Sequence, residues 1–159
     1  MVPKEQIKAE VLAFLRSQKT AVLATTSGKE PHVATVFFTV GEDFTFYIVS
    51  HLGSKKVQDI RLNENVALVA GFGPAPVTAQ MGGKAEIIED YRTDTLFRKT
   101  VMLELLEKIE IDLKQWPIMK VGEGELVVLK ITPTWMSWLN LDKEGRPLSY
   151  AEDFYKIIP

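Results

Sequence analysis

Apolar and polar positions along this chain follow two periods, one helical and one alternating, and the switches between them mark out most of its elements. Ile7, Val11, Phe14 and Leu15 recur at helical spacing and Pro3 suits a helix start, so Pro3 to Gln18 is expected to form an amphipathic helix that lies as a lid on a sheet. Thr20 to Thr26 is small and β-branched, Ser27-Gly28-Lys29-Glu30 supplies turn chemistry, and His32 to Val40 returns as a second strand. Gly41-Glu42-Asp43 turns the chain again into a strand ending at Ser50. A short helix with Val57 and Ile60 follows, then a strand from Asn65 to Phe72, and the Gly71-Phe72-Gly73-Pro74-Ala75-Pro76 stretch ends it.

Thr78 to Glu89 reads as a long fifth strand, in which Gly82-Gly83 marks a bulge or a close approach of the backbone to another group. Thr93 and Asp94 offer a helix start, and the stripe of Leu96, Phe97, Val101, Leu105 and Ile109 carries that helix to about Ile109. A last strand, Leu126 to Ile131, is expected to stop at Pro133. Six short strands at hairpin spacing, with one helix between two of them and no regular strand-helix alternation, point to an antiparallel sheet that closes into a small barrel with peripheral helices. The fold class is therefore mainly β (α+β). Phe37, Phe38, Phe44 and Phe46 read as core side chains, because alternating aromatics on strands pack inward.

Composition narrows this picture. A chain of 159 residues makes one ordinary domain, expected here to span residues 1–159. With 19 basic and 21 acidic residues, it lacks the surplus positive charge that binding a phosphate backbone demands, so no nucleic-acid partner is expected. It has no cysteine, which removes disulfides, thiol nucleophiles and thiolate metal sites and suits a reducing cytoplasm, the expected location. No apolar run approaches the roughly 20 residues of a membrane helix, and the N-terminus, with Lys4, Glu5, Lys8 and Glu10, has no signal-peptide core, so no membrane partner is expected.

The segment that carries chemistry runs from Thr45 through Ser50-His51-Leu52-Gly53-Ser54-Lys55-Lys56-Val57, a strand that breaks at Gly53 and restarts as a helix with a basic head. Ser54 can cap that helix, its first free N–H groups point outward, and Lys55 and Lys56 add charge where the helix dipole already favours an anion. On pattern alone the two lysines are equally a solvated helix face. Other phosphate motifs fail on spacing. Gly71 and Gly73 are followed by Pro76 where a dinucleotide fingerprint needs glycine, and Gly83-Lys84 is followed by Ala85, with Thr78 where a phosphate loop needs its first glycine. His32 and His51 form no His-Glu-x-x-His pattern, so no metal ligand is assigned, and His51 reads as an ordinary loop residue.

Several local patterns occur together: Ala21-Val22-Leu23-Ala24-Thr25, Pro31-His32-Val33-Ala34-Thr35-Val36-Phe37-Phe38, Ser54-Lys55-Lys56-Val57 and Gly83-Lys84-Ala85. In this order and spacing they resemble the pyridoxamine-phosphate-oxidase-like FMN-binding split barrels from Thr20 to about Glu89, with a matching last strand at Leu126 to Ile131. The resemblance implies FMN as cofactor, its phosphate held by Ser50, Ser54, Lys55 and Lys56. It places Ala34, Thr35, Val36 and Phe37 on the strand whose backbone runs along the isoalloxazine ring, Val49 on the neighbouring strand, and Gln80 near the ring or ribityl chain. Trp135 and Trp138 could cover the flavin, line a dimer interface or finish the core; the resemblance favours the interface, and Trp135 is kept among the cofactor-binding candidates.

Two departures redirect the expected activity. The parent oxidases carry an Arg and a Lys on the second strand where this chain has Ala34 and Thr39, and their Arg- and His-bearing substrate motif is replaced by Trp135-Met136-Ser137-Trp138-Leu139-Asn140. Vitamin B6 oxidation is therefore not expected, and the stress-protein and flavoprotein branches match better. The resemblance further implies a homodimer with the flavin between subunits. The leading expectation is an FMN-dependent oxidoreductase that passes hydride between the flavin and a small-molecule substrate, with a reduced nicotinamide as one candidate donor. No residue is assigned a catalytic acid or base role. A non-catalytic flavin-storage or sensing protein, or a heme- or deazaflavin-binding relative in which His51 or His32 would matter, are the alternatives.

Overall fold

The computed structural model describes residues 4–90, 101, 103–105, 107–108, 125–142 and 154–158. The chain opens with helix α1 (Lys4–Ser17), whose Ile7, Val11 and Leu15 are buried on one face. Strands β1 (Thr20–Thr26), β2 (Pro31–Phe37), β3 (Thr39–Val40) and β4 (Phe46–His51) follow. Helix α2 (Lys55–Leu62) separates β4 from β5 (Asn65–Gly71), and β6 (Val77–Ile88), β7 (Leu126–Asn140) and β8 (Phe154–Ile158) complete the set. All strand pairs are antiparallel, in the order β2-β1-β5-β6-β7-β4-β3, with β8 added alongside β7.

The two ends of that order are consecutive in the chain, since only Phe38 separates β2 from β3. The sheet is thereby curled into a half-barrel, the split barrel expected from the strand pattern. Alternation explains the inside: Ala21, Leu23 and Thr25 of β1 and Val66, Leu68 and Ala70 of β5 point inward, while their neighbours point out. Phe38, Phe46, Ile48, Met81, Leu129, Ile131 and Met136 fill the centre, and Phe38 and Phe46 lie with ring centroids 5.4 Å apart. Phe14 of α1 meets Trp138 edge-on at 5.0 Å, which fastens the helix to the barrel wall.

Two expectations need correction. The six expected strands are present, but among the described residues the sheet has eight: the second strand divides at Phe38, and β8 adds to β7. Phe38 leaves the ladder because its N–H donates to the Lys19 carbonyl and its own carbonyl accepts from Lys108 Nζ at 2.9 Å, while its ring is fully buried. The last strand does not stop at Pro133 but continues to Asn140. The register between β6 and β7 shifts at Gly82/Gly83, where Gly82 faces Trp135 and Gly83 faces Pro133, so the proline sits at the expected bulge, where a missing N–H is tolerated. Of the helix expected up to Ile109, Leu103 to Leu105, Glu107 and Lys108 are helical and Leu105 is buried; Thr93, Asp94, Leu96, Phe97 and Ile109 lie outside the described residues.

Candidate functional site

The end of β4 and the start of α2 form a compact polar corner. Ser50 is buried on β4, Ser54 occupies the N-cap position of α2 with extended backbone angles, and their hydroxyls lie 2.9 Å apart. The cap expected from Ser54 is corrected here: its hydroxyl makes no capping hydrogen bond, because it is engaged with Ser50 instead. Among the described residues, the first-turn amides of α2 are thus left without a side-chain acceptor, and that turn has no acidic residue. Lys55 and Lys56 are the first two helical residues, Lys55 exposed and Lys56 half-buried. Burial lowers the pKa of the Lys56 ammonium, since desolvation disfavours its charge. An anion placed there would restore that charge and accept from hydroxyls, amides and ammonium groups together.

Behind this corner lies a buried carboxylate that the sequence pattern did not single out. Asp59 sits between Val57 and Ile60 on the buried side of α2 and is fully enclosed. Its Oδ2 accepts from Thr25 Oγ1 at 2.9 Å and lies 2.8 Å from His32 Nδ1, while Lys55 Nζ stands 3.4 Å from Oδ1. Thr25 and His32 face each other in the β1–β2 register, so both side chains meet α2 on the same side of the sheet. Burial works to raise the Asp59 pKa, but the hydrogen bonds from Thr25 and His32, the charge that His32 carries when its ring is protonated and the charge of Lys55 outweigh it, and the net direction is down.

A second grouping lies on the outer face of the sheet. Register pairs place Val33, Ala24, Ala67, Gly82 and Trp135 in one row across five strands, and Thr35, Val22, Val69, Gln80 and Ser137 in the next. The small residues of the first row floor a shallow apolar trough of about 380 Å³, bordered by Val33 and Trp135 and reached by Gln80. A Cβ at Gly82 would run into the Trp135 indole, so glycine is what lets the ring lie against the sheet. Val33 is 73% and Trp135 43% exposed, which is a large apolar surface to leave to water.

The expected site residues therefore divide. Ser50, Ser54, Lys55 and Lys56 share the polar corner; Thr35, Gln80 and Trp135 share the outer face. Ala34 is half-buried against the core and Val36 is buried, while Thr35 and Phe37 alternate to the other face of β2, Thr35 exposed and Phe37 half-buried. Val49 packs instead in a small cluster with Tyr47, Ile88 and Val128. Among the described residues, no group of three or more His, Cys, Asp or Glu side chains is placed to hold a metal ion, and no helix is long and apolar enough to cross a membrane.

A family model described as pyridoxamine 5'-phosphate oxidase matches residues 7–138. The General Stress Protein 26 from Bacillus anthracis superposes with a TM-score of 0.63 at 27% identity, covering 84% of this chain and 93% of that one. A FAD-binding protein from Mesorhizobium loti gives 0.63 at 18% identity over 82% and 90% of the two chains. A protein named F420 reductase gives 0.59 at 19% identity over 78% and 93%. No curated protein matches the chain.

Proposed function

This chain belongs to the pyridoxamine 5'-phosphate oxidase family, and from that premise we propose that it is a single-domain FMN-binding protein that works as an oxidoreductase on a small molecule. The observation that carries the proposal is the polar corner at the end of β4, where the paired hydroxyls of Ser50 and Ser54 stand beside the uncapped first turn of α2, whose first two residues are Lys55 and Lys56. The donor set fits a phosphate monoester, which carries close to two negative charges at neutral pH and accepts through several oxygens. An uncapped helix start next to two lysines is a poor place for any neutral ligand.

Ring placement is supported by the outer face. The backbone of β2 from Ala34 to Phe37, with the exposed side chain of Thr35, and the trough edged by Gln80 and Trp135 offer flat, largely apolar contact of the kind a flavin ring needs. The exposed Val22, Val33 and Trp135 support a homodimer that covers this face, with the cofactor at the seam. When bound, the flavin supplies the hydride chemistry; the protein's part is to anchor the phosphate, orient the ring and exclude water around it. A reduced nicotinamide is one candidate donor, and the cytoplasm is the proposed setting.

A second reading concerns the cofactor. Structural neighbours named FAD-binding protein and F420 reductase share the fold, so FAD and a deazaflavin are the competing ligands. Absorption spectra of the purified protein, with parallel titrations of FMN, FAD and F420, test this directly. The proposal expects a flavin spectrum and tightest binding for FMN; a colourless preparation that fails to bind added FMN would overturn it. Lys55→Ala together with Lys56→Ala should weaken FMN binding by roughly 10- to 100-fold, as two charge-assisted contacts of about 1.5–3 kcal/mol each would if partly screened by solvent. Circular dichroism should show the fold intact. Steady-state oxidation of NADH or NADPH with added acceptors then separates an enzyme from a storage or sensing protein.

A further inference from the structure

One of the two lysines at the head of α2 is already engaged. Lys55 Nζ lies 3.4 Å from Asp59 Oδ1, yet this oxygen accepts no hydrogen bond among the described residues, and Lys55 itself is exposed. The lysine is therefore the loosest of the three partners of a fully enclosed carboxylate. An anion arriving at the head of α2 would compete for it. Removing one partner from a buried ion pair is normally costly, because it strands an uncompensated charge in a poorly polarisable setting.

The other two partners limit that cost. Thr25 holds Oδ2 through its hydroxyl at 2.9 Å, and His32 Nδ1 approaches the same oxygen at 2.8 Å. An ionised carboxylate can only accept, so Nδ1 must carry the hydrogen and the Nε2 of a neutral His32 is left with its lone pair. Nε2 faces the exposed side of the site, 3.9 Å from the Glu30 carboxylate, which stands on the turn before β2. A proton taken up at Nε2 from solvent would thus lie between two carboxylates, Asp59 through the ring and Glu30 directly. The charged groups around His32 are Asp59 and Lys55 from α2 and Glu30 from the turn; Thr25, its neighbour on β1, is neutral.

We propose that His32 is the reserve counter-ion of Asp59: when a phosphate draws Lys55 away, His32 takes up a proton and keeps the buried carboxylate balanced, so that phosphate capture is coupled to proton uptake. The identity of the phosphate as that of FMN rests on the function proposed above; the exchange of counter-ions on Asp59 does not. By linkage, a phosphate whose capture takes up a proton binds more tightly as pH falls. The bonds that change are few. Lys55 leaves Asp59 for a phosphate oxygen, and one N–H bond forms at His32 Nε2 with a proton from bulk water.

Two arms test this. In the first, calorimetry of FMN binding at pH 7.5 in buffers of different ionisation enthalpy reads the protons exchanged; the phosphate itself, with a second pKa of about 6, contributes little there. Wild type should take up a fraction of a proton per FMN, and His32→Asn, which keeps an N–H donor near the Nδ1 position, should lose that uptake while still binding FMN. Riboflavin, lacking the phosphate, should bind without uptake. In the second arm, no ligand is used: NMR titration of the His32 ring in Lys55→Met should move to higher pH than in wild type, since Asp59 then has one cation fewer. Equal proton uptake by wild type and His32→Asn, or an unmoved ring titration in Lys55→Met, would overturn the inference and leave the flavin reading standing. Absence of FMN binding by the wild type, with the ring titration still moved, would overturn the flavin reading and with it the coupling to FMN.

Discussion

Asp59 is an acid between Val57 and Ile60 on the buried side of an eight-residue helix, a position at which a carboxylate must be satisfied or be neutralised. Thr25 and His32 hold its Oδ2 from two strands while Lys55 faces its Oδ1, and Thr25 and His32 lie 34 and 27 positions from it in sequence, so no local pattern could announce them. The polar corner was easier to read, because Ser50, Ser54, Lys55 and Lys56 fall within one short run whose break at Gly53 is visible in the letters. Even there, the direction of the Ser54 hydroxyl was not legible; it depends on where β4 leaves Ser50. A pH dependence follows from Asp59. Its folded pKa is depressed below an ordinary value of 3.8, so its contribution to stability is complete above about pH 4 and is lost as pH falls through the lower folded value. Asp59→Asn should be less stable at neutral pH and should show a shallower loss of stability below pH 4, read by denaturant unfolding across an acid series. An unchanged acid limb would contradict the assignment.

At the scale of elements, the strands that alternate cleanly, such as Thr20 to Thr26 and Asn65 to Gly71, were legible because one face of each is buried and period 2 records it. The division at Phe38 was not, since it arises from the carbonyl of Lys19, just before β1, and the ammonium of Lys108, 70 residues away in sequence. Pro133 misled for a related reason: a proline ends a strand only where its N–H would be needed, and the bulge opposite Gly83 removes that need. The Gly82-Gly83 pair was read for what it is, a place where the backbone is approached closely. The two glycines should nevertheless respond differently. A Cβ at Gly83 would meet the Thr132 carbonyl and the Pro133 Cα, both backbone, whereas at Gly82 it would meet the Trp135 side chain. Gly83→Ala is expected to cost about 1–3 kcal/mol in urea unfolding, as overpacking against a fixed wall does. Gly82→Ala should cost less and shift the Trp135 fluorescence as the ring swings away; equal costs without a spectral change would contradict the geometry.

Across the described residues, the curled sheet turns one face inward to Phe38, Phe46 and Met81 and leaves Val22, Val33 and Trp135 exposed on the other. A monomer with that face in water would carry an aggregation hazard, and a second copy is the economical cover. Val22→Asp with Val33→Asp should therefore convert the proposed dimer into a monomer in sedimentation or light-scattering measurements, and should weaken FMN binding if the cofactor lies at the seam. A wild-type monomer at tens of micromolar would contradict the proposed assembly while leaving the polar corner intact.

The central claim is that the corner formed by Ser50, Ser54, Lys55 and Lys56 grips the phosphate of a flavin mononucleotide. A fluorescence-quenching titration of the protein against FMN, run beside riboflavin, addresses it most directly, because the two ligands share a ring and differ by the phosphate alone. The account predicts saturable one-to-one binding of FMN, with riboflavin bound at least about tenfold more weakly, as the loss of even one charge-assisted contact of about 1.5–3 kcal/mol requires. Equal affinity for the two ligands, or no quenching of FMN at all, would contradict it.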